Sequence, residues 1–292
     1  MIFGAGLRAM GVVSFHQPRP ERGQAPRGQA TGERSGGQAT GVAVSFASRS
    51  GLLGDLERRL AAGDGFTLAT LNLDHVVKLR RDARFRRAYA RHSHVVADGN
   101  PIVWLHRLAG RQIHLVPGSE LVEPLCALAA RLGVPVALLG GRPAALEAAA
   151  ARLVAAHPGL RIVARISPPF GFDPEGPAAT ACLDELAASG ARLCLLALGA
   201  PKQEILAIRG AERLPGCGFV SVGAGLDFIA GHQSRAPVWV RRMALEWAWR
   251  LATNPRRLAR RYLDCALVLP GLGVDALRER ALPAPPRRPR DT

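Results

Sequence analysis

Residues 193–223 of the chain, LCLLALGAPKQEILAIRGAERLPGCGFVSVG, alternate between two kinds of pattern. The apolar runs Leu193–Gly199 and Phe219–Gly223 have the length and composition of buried strands. Between them, residues 202–213 have the mixed polar and apolar spacing of a helix. A strand, a helix and a strand in this order predict a βαβ unit, whose two strands are parallel.

Similar segments precede this unit along the chain. Apolar strands that alternate with helices are typical of a parallel sheet covered on both faces. The sequence therefore predicts an α/β fold, a Rossmann-like and mostly parallel sheet with helices on both faces and a helical C-terminal appendage. Further strands are predicted at Phe66–Leu71, His94–Ala97, Val134–Gly140 and Leu160–Ile166, and further helices near 51–62, 73–91, 119–132, 143–156 and 176–189.

Composition divides the chain into four parts. Residues 1–41 are mostly Gly, Gln, Pro and Arg after a short apolar start, and such a stretch buries too little apolar surface to fold, so we expect a disordered low-complexity extension. Residues 42–234 hold the α/β core. Residues 235–281 form the Arg-rich helical appendage, because no further strand follows Gly231. The Pro/Arg-rich residues 282–292 are expected to be a disordered tail.

The appendage is expected to contain two helices. The first runs from about Pro237 to Ala252, and the second follows Asn254-Pro255, which has the pattern of an N-cap and a proline in the first turn. Trp239, Met243 and Trp247 are spaced for an apolar stripe on the first helix, and core packing is favoured over a lipid-facing surface for them.

Charge is concentrated in the same region. The formal net charge is +16 and only two lysines occur, so arginine carries nearly all of it. A GC-rich coding bias is the alternative explanation of the arginine excess. From Arg235 to Thr292, however, thirteen arginines face five acidic residues. A local basic surface indicates an anionic partner, which is a phosphate, a nucleic acid or an anionic membrane.

Cysteine usage and hydropathy indicate the compartment. The five cysteines are dispersed without a C-x-x-C spacing, which predicts reduced thiols in a cytosolic protein and neither disulfides nor a zinc site. No apolar run of 18 residues occurs, which excludes a conventional membrane-spanning helix. The apolar start lacks a cleavage site of the Ala-x-Ala kind, so no signal peptide is predicted.

Polar residues follow the predicted strands at the carboxyl edge of the sheet, where open α/β sheets bind ligands. Asp98 follows one strand and precedes Gly99, which suits a general base, and a cap for the next helix is the alternative. Asp227 follows the last strand and is a similar candidate, and loop hydrogen bonding or helix capping is the alternative. The turn Gly199–Glu204 offers backbone N–H groups and Lys202 or Gln203 to a diphosphate, or is an ordinary turn between a strand and a helix.

Other familiar motifs do not occur. The chain has no P-loop and no G-x-G-x-x-G after a strand, and no Asp-x-Asp of the kind that holds a nucleotide-sugar through a metal. His92 and His94 lack a third ligand at a suitable spacing, so a metal site is not favoured. No cofactor and no metal are predicted.

Several short blocks, taken in order, resemble the WecG/TagA/CpsF glycosyltransferases, glycosyltransferase family 26. The resemblance extends from about Gly41 to Tyr262. Its most specific parts are Gly-x-Pro-Lys-Gln-Glu at 199–204 and Arg-Ala-Pro…Glu-Trp…Arg-Leu between 235 and 251. The other blocks are Thr70-x-Asn72, Asp98-Gly99, Pro117–Leu121, Leu138–Gly141, Val222–Asp227 and Asn254-Pro255 with Arg256, Arg260 and Arg261.

The resemblance implies an inverting, metal-independent transferase. It would move a hexose, such as N-acetylmannosamine, its uronic acid or glucose, from a UDP-sugar to a polyprenyl-diphosphate-linked saccharide of the cell surface. By position, Asp98 resembles the family's catalytic base. The substrate-binding residues that the resemblance implies are Thr70 and Asn72 for the sugar, Gln203 and Asp227 for the donor nucleotide-sugar, and Arg250, Arg256 and Arg260 for a diphosphate.

One position departs from the family pattern. Members often carry an arginine three residues before the glycine of the Gly-x-[DE]-Leu block, and Leu115 stands there in this chain, after His114. Either His114 or Arg111 substitutes for the missing arginine, or the donor or the acceptor differs from that of the family members that carry it. The departure weakens the inference that N-acetylmannosamine is the donor sugar of this chain, and the identity of the donor sugar stays open.

The expected partners are the UDP-sugar, the polyprenyl-diphosphate-linked acceptor and an anionic membrane surface, with no nucleic acid and with self-association left open. The expected location is cytoplasmic, peripheral on the inner face of the plasma membrane. A basic nucleic-acid-binding protein is one alternative; an aromatic content of 5% and the lack of a helix-turn-helix argue against it. A non-catalytic subunit that binds a nucleotide-sugar is the other, against which Asp98 and the arginines argue.

Overall fold

The computed structural model describes residues 13–15, 42–232, 236–237, 239–240, 243 and 245–281. Six strands form one sheet in the order β4-β3-β8-β7-β5-β6, and every neighbouring pair is parallel. The predicted Rossmann-like α/β fold is thereby confirmed. The strands are β1 (Val13–Ser14), β2 (Val42–Ala43), β3 (Phe66–Leu71), β4 (His94–Ala97), β5 (Val136–Leu139), β6 (Ile162–Ile166), β7 (Leu193–Leu196) and β8 (Gly218–Ser221).

The six predicted strands are present, and several are shorter than the apolar runs that predicted them. The run Leu193–Gly199 leaves the sheet after Leu196, and Phe219–Gly223 leaves it after Ser221. Gly199 and Gly223 have φ values of 71° and 57°, which turn the chain out of the strand direction. The chain therefore turns at a glycine after β7 and after β8, and the candidate residues Gln203 and Asp227 follow these two turns.

Helices cover both faces of the sheet. One buried cluster includes Leu56, Leu125 and Leu146, and two others lie on other parts of the sheet. The helices are α1 (Arg49–Ala62), α2 (Leu73–Arg81), α3 (Ala83–Arg91), α4 (Asn100–Leu108), α5 (Val122–Leu132), α6 (Pro143–Ala156), α7 (Pro177–Ala188), α8 (Lys202–Arg213), α9 (Gly225–Ala230), α10 (Glu246–Thr253) and α11 (Pro255–Ala281), with a 3₁₀ turn at Gly118–Glu120.

The single helix predicted near 73–91 is wrong, because the chain forms two helices there. Asp82 has extended backbone angles, and its carboxylate accepts the backbone N–H groups of Arg84 at 2.8 Å and Phe85 at 3.1 Å. An aspartate at this position is a preferred N-cap, so it starts α3 while it ends α2. The break lets α3 turn and place Tyr89 behind β3.

The appendage contains α10 and α11. The second predicted helix starts at Pro255 as expected, whereas the first lies only partly within the described residues. Helix α11 packs on α2 and α4 and buries Leu258, Cys265, Leu272 and Ala276. None of the helices in the described ranges has both the length and the hydropathy that crossing a bilayer requires.

A short N-terminal segment also packs on this layer. Val13–Phe15 falls in the extension for which disorder is expected, yet β1 pairs in parallel with β2 and Phe15 is fully buried. The backbone N–H of Phe15 donates to Glu279 of α11 at 3.0 Å. The rest of residues 1–41, the tail 282–292 and residues 233–235 lie outside the described residues.

We predict opposite stability effects for two Gly→Ala substitutions in helices. Alanine ordinarily stabilises a helix interior by about 1 kcal/mol relative to glycine. At Gly210 of α8, however, an added β-carbon would overlap the buried ring of Phe219. Gly210→Ala should therefore lower the free energy of unfolding by about 1–3 kcal/mol, the usual effect of overpacking, as measured by urea unfolding.

Gly54→Ala in α1 is the matched control. Its new β-carbon would meet only Arg58 Nη1, at 3.9 Å, so we expect the free energy of unfolding to rise by about 0.5–1 kcal/mol. A Gly210→Ala protein that is as stable as Gly54→Ala would contradict the close packing of α8 on β8.

Candidate active site

Asp98 lies at the carboxyl end of β4, beside the end of β3. Its backbone N–H donates to the carbonyl oxygen of Leu71 at 2.8 Å, which continues the parallel ladder by one residue. Gly99 follows with φ 95°, and α4 begins at the next residue. The alternative that Asp98 caps this helix is not what the structure shows, because the N-cap residue is Gly99 and no side chain caps α4.

The side chains of Asn72 and Thr70 both hydrogen-bond to the Asp98 carboxylate. The amide oxygen of Asn72 already accepts the backbone N–H of His75 at 3.0 Å, as the N-cap of α2. The amide nitrogen is therefore the group of Asn72 left to donate to Asp98. Thr70, which is buried in β3, donates its hydroxyl.

The pKa of Asp98 is raised to about 6. Burial contributes most to this rise, and the charge of Glu246 raises the pKa further; the charge of Arg250 and the hydrogen bonds from Asn72 and Thr70 lower it. Glu246 and Arg250 are four residues apart on α10. The appendage thus brings one acid and one arginine into the electrostatic surroundings of Asp98, and Glu246 is a neighbour that the sequence interpretation did not assign.

A second layer of polar groups lies behind Thr70. The Tyr89 hydroxyl donates to the carbonyl oxygen of Thr70 at 3.0 Å and lies 2.8 Å from His75 Nδ1. Burial lowers the pKa of His75 to about 3. Burial also raises the pKa of Tyr89, and the charges of Glu204 and Asp98 raise it further. Tyr89 therefore lies within the electrostatic range of both acids.

Gln203 and Glu204 begin α8 and are both buried, Gln203 with 2% of its surface exposed. Gln203 Nε2 donates to Glu204 Oε1 at 2.8 Å. Within the described part of the chain, Gln203 Oε1 and Glu204 Oε2 have no hydrogen-bond partner. Burial raises the pKa of Glu204 to about 7. Glu204 was not assigned from the sequence, since a polar residue in the first turn of a helix is ordinarily exposed.

Asp227 lies in the first turn of α9, opposite the loop after β5. A β-carbon built on Gly141 would lie 4.0 Å from Asp227 Oδ1. The 3₁₀ turn approaches two neighbouring strands closely: a β-carbon on Gly118 would lie 3.1 Å from Thr70 Cγ2 and 2.9 Å from the carbonyl oxygen of Ser221. The Pro117–Leu121 block therefore packs against β3 and β8 at the site.

The three appendage arginines do not lie in one place. Arg250 is near Asp98, whereas Arg260 lines a separate cavity of about 460 Å³ between α2, α11 and Pro201. Arg256 is exposed at the start of α11. In that cavity Asp74 forms ion pairs with Lys78 at 2.8 Å and with Arg261 at 3.1 Å; the remaining lining residues are Val77, Arg81, Asp82, Arg260, Asp264 and Pro201.

The two histidines at 92 and 94 serve packing. His92 Nδ1 donates to the carbonyl oxygen of Ala88 at 2.9 Å. His94 Nε2 lies 2.9 Å from Asp55 Oδ2, and its ring stacks on Phe46. Among the residues that the structure describes, no three His, Cys, Asp or Glu side chains are grouped as a metal site would need.

The raised pKa of Asp98 makes a prediction about stability. The folded protein holds this proton up to about pH 6, whereas the unfolded chain releases it near 3.8, so ionisation of Asp98 opposes folding above pH 6 and has no effect below pH 3.8. We expect Asp98→Asn to raise the free energy of unfolding by about 1–2 kcal/mol at pH 8, and the gain to vanish near pH 4.

Urea unfolding at the two pH values measures this difference. Asp64→Asn is the control, because Asp64 is an exposed aspartate beyond the C-terminus of α1, and its loss should change stability by less than about 0.5 kcal/mol at either pH. Equal stabilities of the parent and Asp98→Asn at pH 8 would show that the surroundings do not destabilise the ionised form of Asp98.

The chain matches a model of a known protein family. Residues 38–282 match the family described as "Glycosyl transferase WecG/TagA/CpsF family". The matched range contains all six strands of the main sheet, the residues around Asp98 and both appendage helices.

Proposed function

The chain belongs to the WecG/TagA/CpsF family of glycosyl transferases, and we propose that it is an inverting, metal-independent enzyme that transfers a hexose from a UDP-sugar to a polyprenyl-diphosphate-linked saccharide. The observation that carries this proposal is the surroundings of Asp98, a carboxylate with a raised pKa, two neutral donors and a neighbouring arginine. The candidate hexoses are N-acetylmannosamine, its uronic acid and glucose, and the product belongs to a cell-surface polysaccharide.

Asp98 acts as the general base. The acceptor hydroxyl oxygen forms a bond to the anomeric carbon, the bond from that carbon to the β-phosphate oxygen of UDP breaks, and the hydroxyl proton passes to the Asp98 carboxylate. A pKa of about 6 keeps the carboxylate ionised at neutral pH, and it makes Asp98 a stronger base than an ordinary aspartate. Asn72 and Thr70 hold the carboxylate in place and line the pocket for the sugar.

Arginine supplies the charge that the leaving UDP requires. The diphosphate becomes more negative as the glycosidic bond breaks, and a guanidinium group stabilises it without a metal. Arg250 is the arginine beside Asp98 and is assigned this role. Arg256 and Arg260 are assigned to a diphosphate on the α11 side, where Arg260 lines the cavity beside α2. Gln203 and Asp227 are assigned to the donor.

The appendage is also proposed to hold the enzyme on the inner face of the plasma membrane. The apolar stripe for which core packing was favoured is exposed: Trp239 by 62%, Met243 by 60% and Trp247 by 49%. Exposed tryptophan and methionine in a segment whose sequence is rich in arginine are typical of a surface that lies in the interface of an anionic membrane. Their exposure thus supports the lipid-facing interpretation.

The first test of the function concerns Asp98. We expect Asp98→Asn to lower turnover by roughly 10²–10⁴ while UDP binding stays within a few-fold of the parent, because only the proton acceptor is removed. Transfer to a lipid-linked acceptor measures turnover, and calorimetric titration measures UDP binding. Asp64→Asn is again the control and should leave both quantities unchanged.

The same assay is run with an excess of EDTA. Transfer should persist, because the leaving diphosphate is stabilised by arginine. Turnover of Asp98→Asn within a few-fold of the parent would remove Asp98 from the mechanism and favour a non-catalytic nucleotide-sugar-binding protein. Loss of transfer on chelation with rescue by Mn²⁺ would contradict metal independence.

The second test concerns membrane binding. Point substitutions are preferred to removal of the appendage, because α11 covers buried side chains of α2 and α4. The double variant Trp239→Ser, Met243→Ser should bind anionic vesicles at least tenfold more weakly, since it removes two apolar side chains from the contact. Binding of the parent should also fall in high salt. Co-sedimentation with vesicles measures both effects.

Val154→Ser is the matched control for the vesicle experiment, because Val154 is an exposed apolar residue of α6. Its binding to the vesicles should equal that of the parent. Undiminished binding of the double variant would place the membrane contact elsewhere on the protein.

A further inference from the structure

Helix α2 contacts both the candidate base and the turn that precedes α8. Its N-cap residue, Asn72, hydrogen-bonds to the Asp98 carboxylate. Lys78, near the other end of α2, donates from Nζ to the carbonyl oxygen of Ala200 at 3.1 Å. Ala200 lies in the Gly199–Glu204 turn. One short helix therefore contacts two parts of the proposed site that are far apart in the sequence.

The carbonyl oxygens of this turn have two kinds of partner. Those of Gly199 and Pro201 accept backbone N–H groups from the first turn of α8, both at 3.2 Å. The carbonyl oxygen of Ala200, between them, accepts the charged amine of Lys78, and a charged donor forms a stronger hydrogen bond than a neutral one. In the described part of the chain, no atom lies within 4 Å of the β-carbon position of Gly199. Lys78 thus fixes a turn whose first residue is not held by side-chain packing.

Lys78 is linked to the appendage through Asp74, which lies one turn earlier on α2. Lys78 Nζ lies 2.8 Å from Asp74 Oδ2, and Arg261 Nε of α11 lies 3.1 Å from Asp74 Oδ1. Among the residues that the structure describes, neither Asp74 Oδ2 nor Arg261 Nε forms a hydrogen bond, so charge maintains these contacts. Asp74 is buried, and burial strengthens the attraction between opposite charges. The contacts therefore run from Arg261 through Asp74 and Lys78 to the Ala200 carbonyl.

We propose that Lys78 is a positioning residue that couples the docking of α11 to the turn that binds the donor. The inference rests on the proposed function, in which Gln203 of this turn binds the donor. With Arg261 in place, the Asp74 carboxylate is shared between two cations, and Lys78 can also donate to Ala200. Loss of Arg261 draws Lys78 towards Asp74 and away from the turn. The donor then binds tightly only when α11 is docked.

A direct attraction between Lys78 and the diphosphate is the competing explanation. Removing either Lys78 or Arg261 would weaken the binding of an anion in both cases. Removing the negative charge of Asp74 separates them, because it would strengthen the binding of an anion if charge acted directly. In the positioning role, Asp74→Asn breaks both ion pairs and weakens the binding of the donor. The two explanations therefore predict opposite effects of Asp74→Asn.

Calorimetric titration of the full-length chain with UDP is the first measurement. Lys78→Met, Asp74→Asn and Arg261→Met should each bind UDP about tenfold more weakly, the usual effect of losing a hydrogen bond to a charged group. The double variant Lys78→Met, Arg261→Met should bind no more weakly than Lys78→Met alone, because both substitutions break the same series of contacts. Tighter binding by Asp74→Asn, or additive losses in the double variant, would overturn the positioning role.

Arg131→Met is the matched control for these variants. It also breaks an ion pair between two helices, because Arg131 of α5 lies 2.8 Å from Glu57 of α1. Its affinity for UDP should equal that of the parent, since neither helix contacts the turn through this pair. A loss in Arg131→Met as large as that in Lys78→Met would assign the effect to general loosening of the fold and overturn the inference.

Transfer kinetics separate positioning from loss of folded enzyme. The turn contributes to binding in the ground state and the transition state alike, so Lys78→Met should raise the KM for the UDP-sugar about tenfold and change kcat by less than about twofold. A fall in kcat with an unchanged KM would indicate a smaller fraction of folded enzyme and would overturn the positioning role.

Hydrogen exchange tests the coupling without any substrate. The backbone N–H groups of Gln203 and Ile205 donate within the turn, so their exchange reports whether the turn is held. Exchange there should be about tenfold faster in Lys78→Met and in Arg261→Met than in the parent, whereas exchange in α5 should be unchanged.

The exchange result also distinguishes this inference from the proposed function. If the parent binds UDP and the turn exchanges equally in the parent, Lys78→Met and Arg261→Met, the inference is overturned and the proposed function stands. If the parent binds no UDP, the proposed function fails, and the donor-binding role of the turn fails with it.

Discussion

The amide oxygen of Asn72 accepts the backbone N–H of His75 at the start of α2, which leaves the amide nitrogen to face Asp98. One side chain therefore both begins a helix and holds the candidate base. The arrangement depends on the register of β3 with β4, in which Leu71 pairs with Ala97. A slip of one residue would turn every side chain of a strand to the other face of the sheet, and it would separate Asn72 and Thr70 from Asp98.

The two buried carboxylates near this contact lower the stability of the folded protein when they are ionised. Asp98 and Glu204 both have pKa values raised by burial, to about 6 and about 7. Each buried charge makes folding less favourable near neutral pH. Tyr89 lies near both acids and stays neutral, because burial and the two acids raise its pKa. Such a concentration of shifted groups at the end of a parallel sheet is more typical of a functional site than of a packing solution.

Some of this arrangement followed from sequence. Periodicity predicted the strands and therefore the edge at which Asp98, Asn72 and Asp227 appear, although the strands β7 and β8 end before the apolar runs that predicted them. The burial of Glu204 did not follow, since α8 hides it only by packing in the folded chain. The break at Asp82 was missed because the apolar spacing continues across it, and only the cap shows the boundary.

The exposure of Trp239 and Met243 was misjudged for a related reason. A stripe of apolar residues at helical spacing indicates an amphipathic helix, and the pattern does not say whether the apolar face meets protein or lipid. The surrounding composition distinguishes the two cases better than the spacing. Thirteen arginines follow residue 234. Their positive charge is stabilised beside an anionic surface and is destabilised against a hydrophobic core.

The appendage also links the base to the leaving group. Glu246 raises the pKa of Asp98 and Arg250 lowers it, and both side chains belong to the same short helix. The two effects on the pKa of Asp98 oppose one another. A diphosphate bound to Arg250 would offset the positive charge of its guanidinium group, so the pKa of Asp98 would rise when the donor is present. The carboxylate would then be a stronger base with the donor bound, and proton removal would be favoured when there is a sugar to transfer.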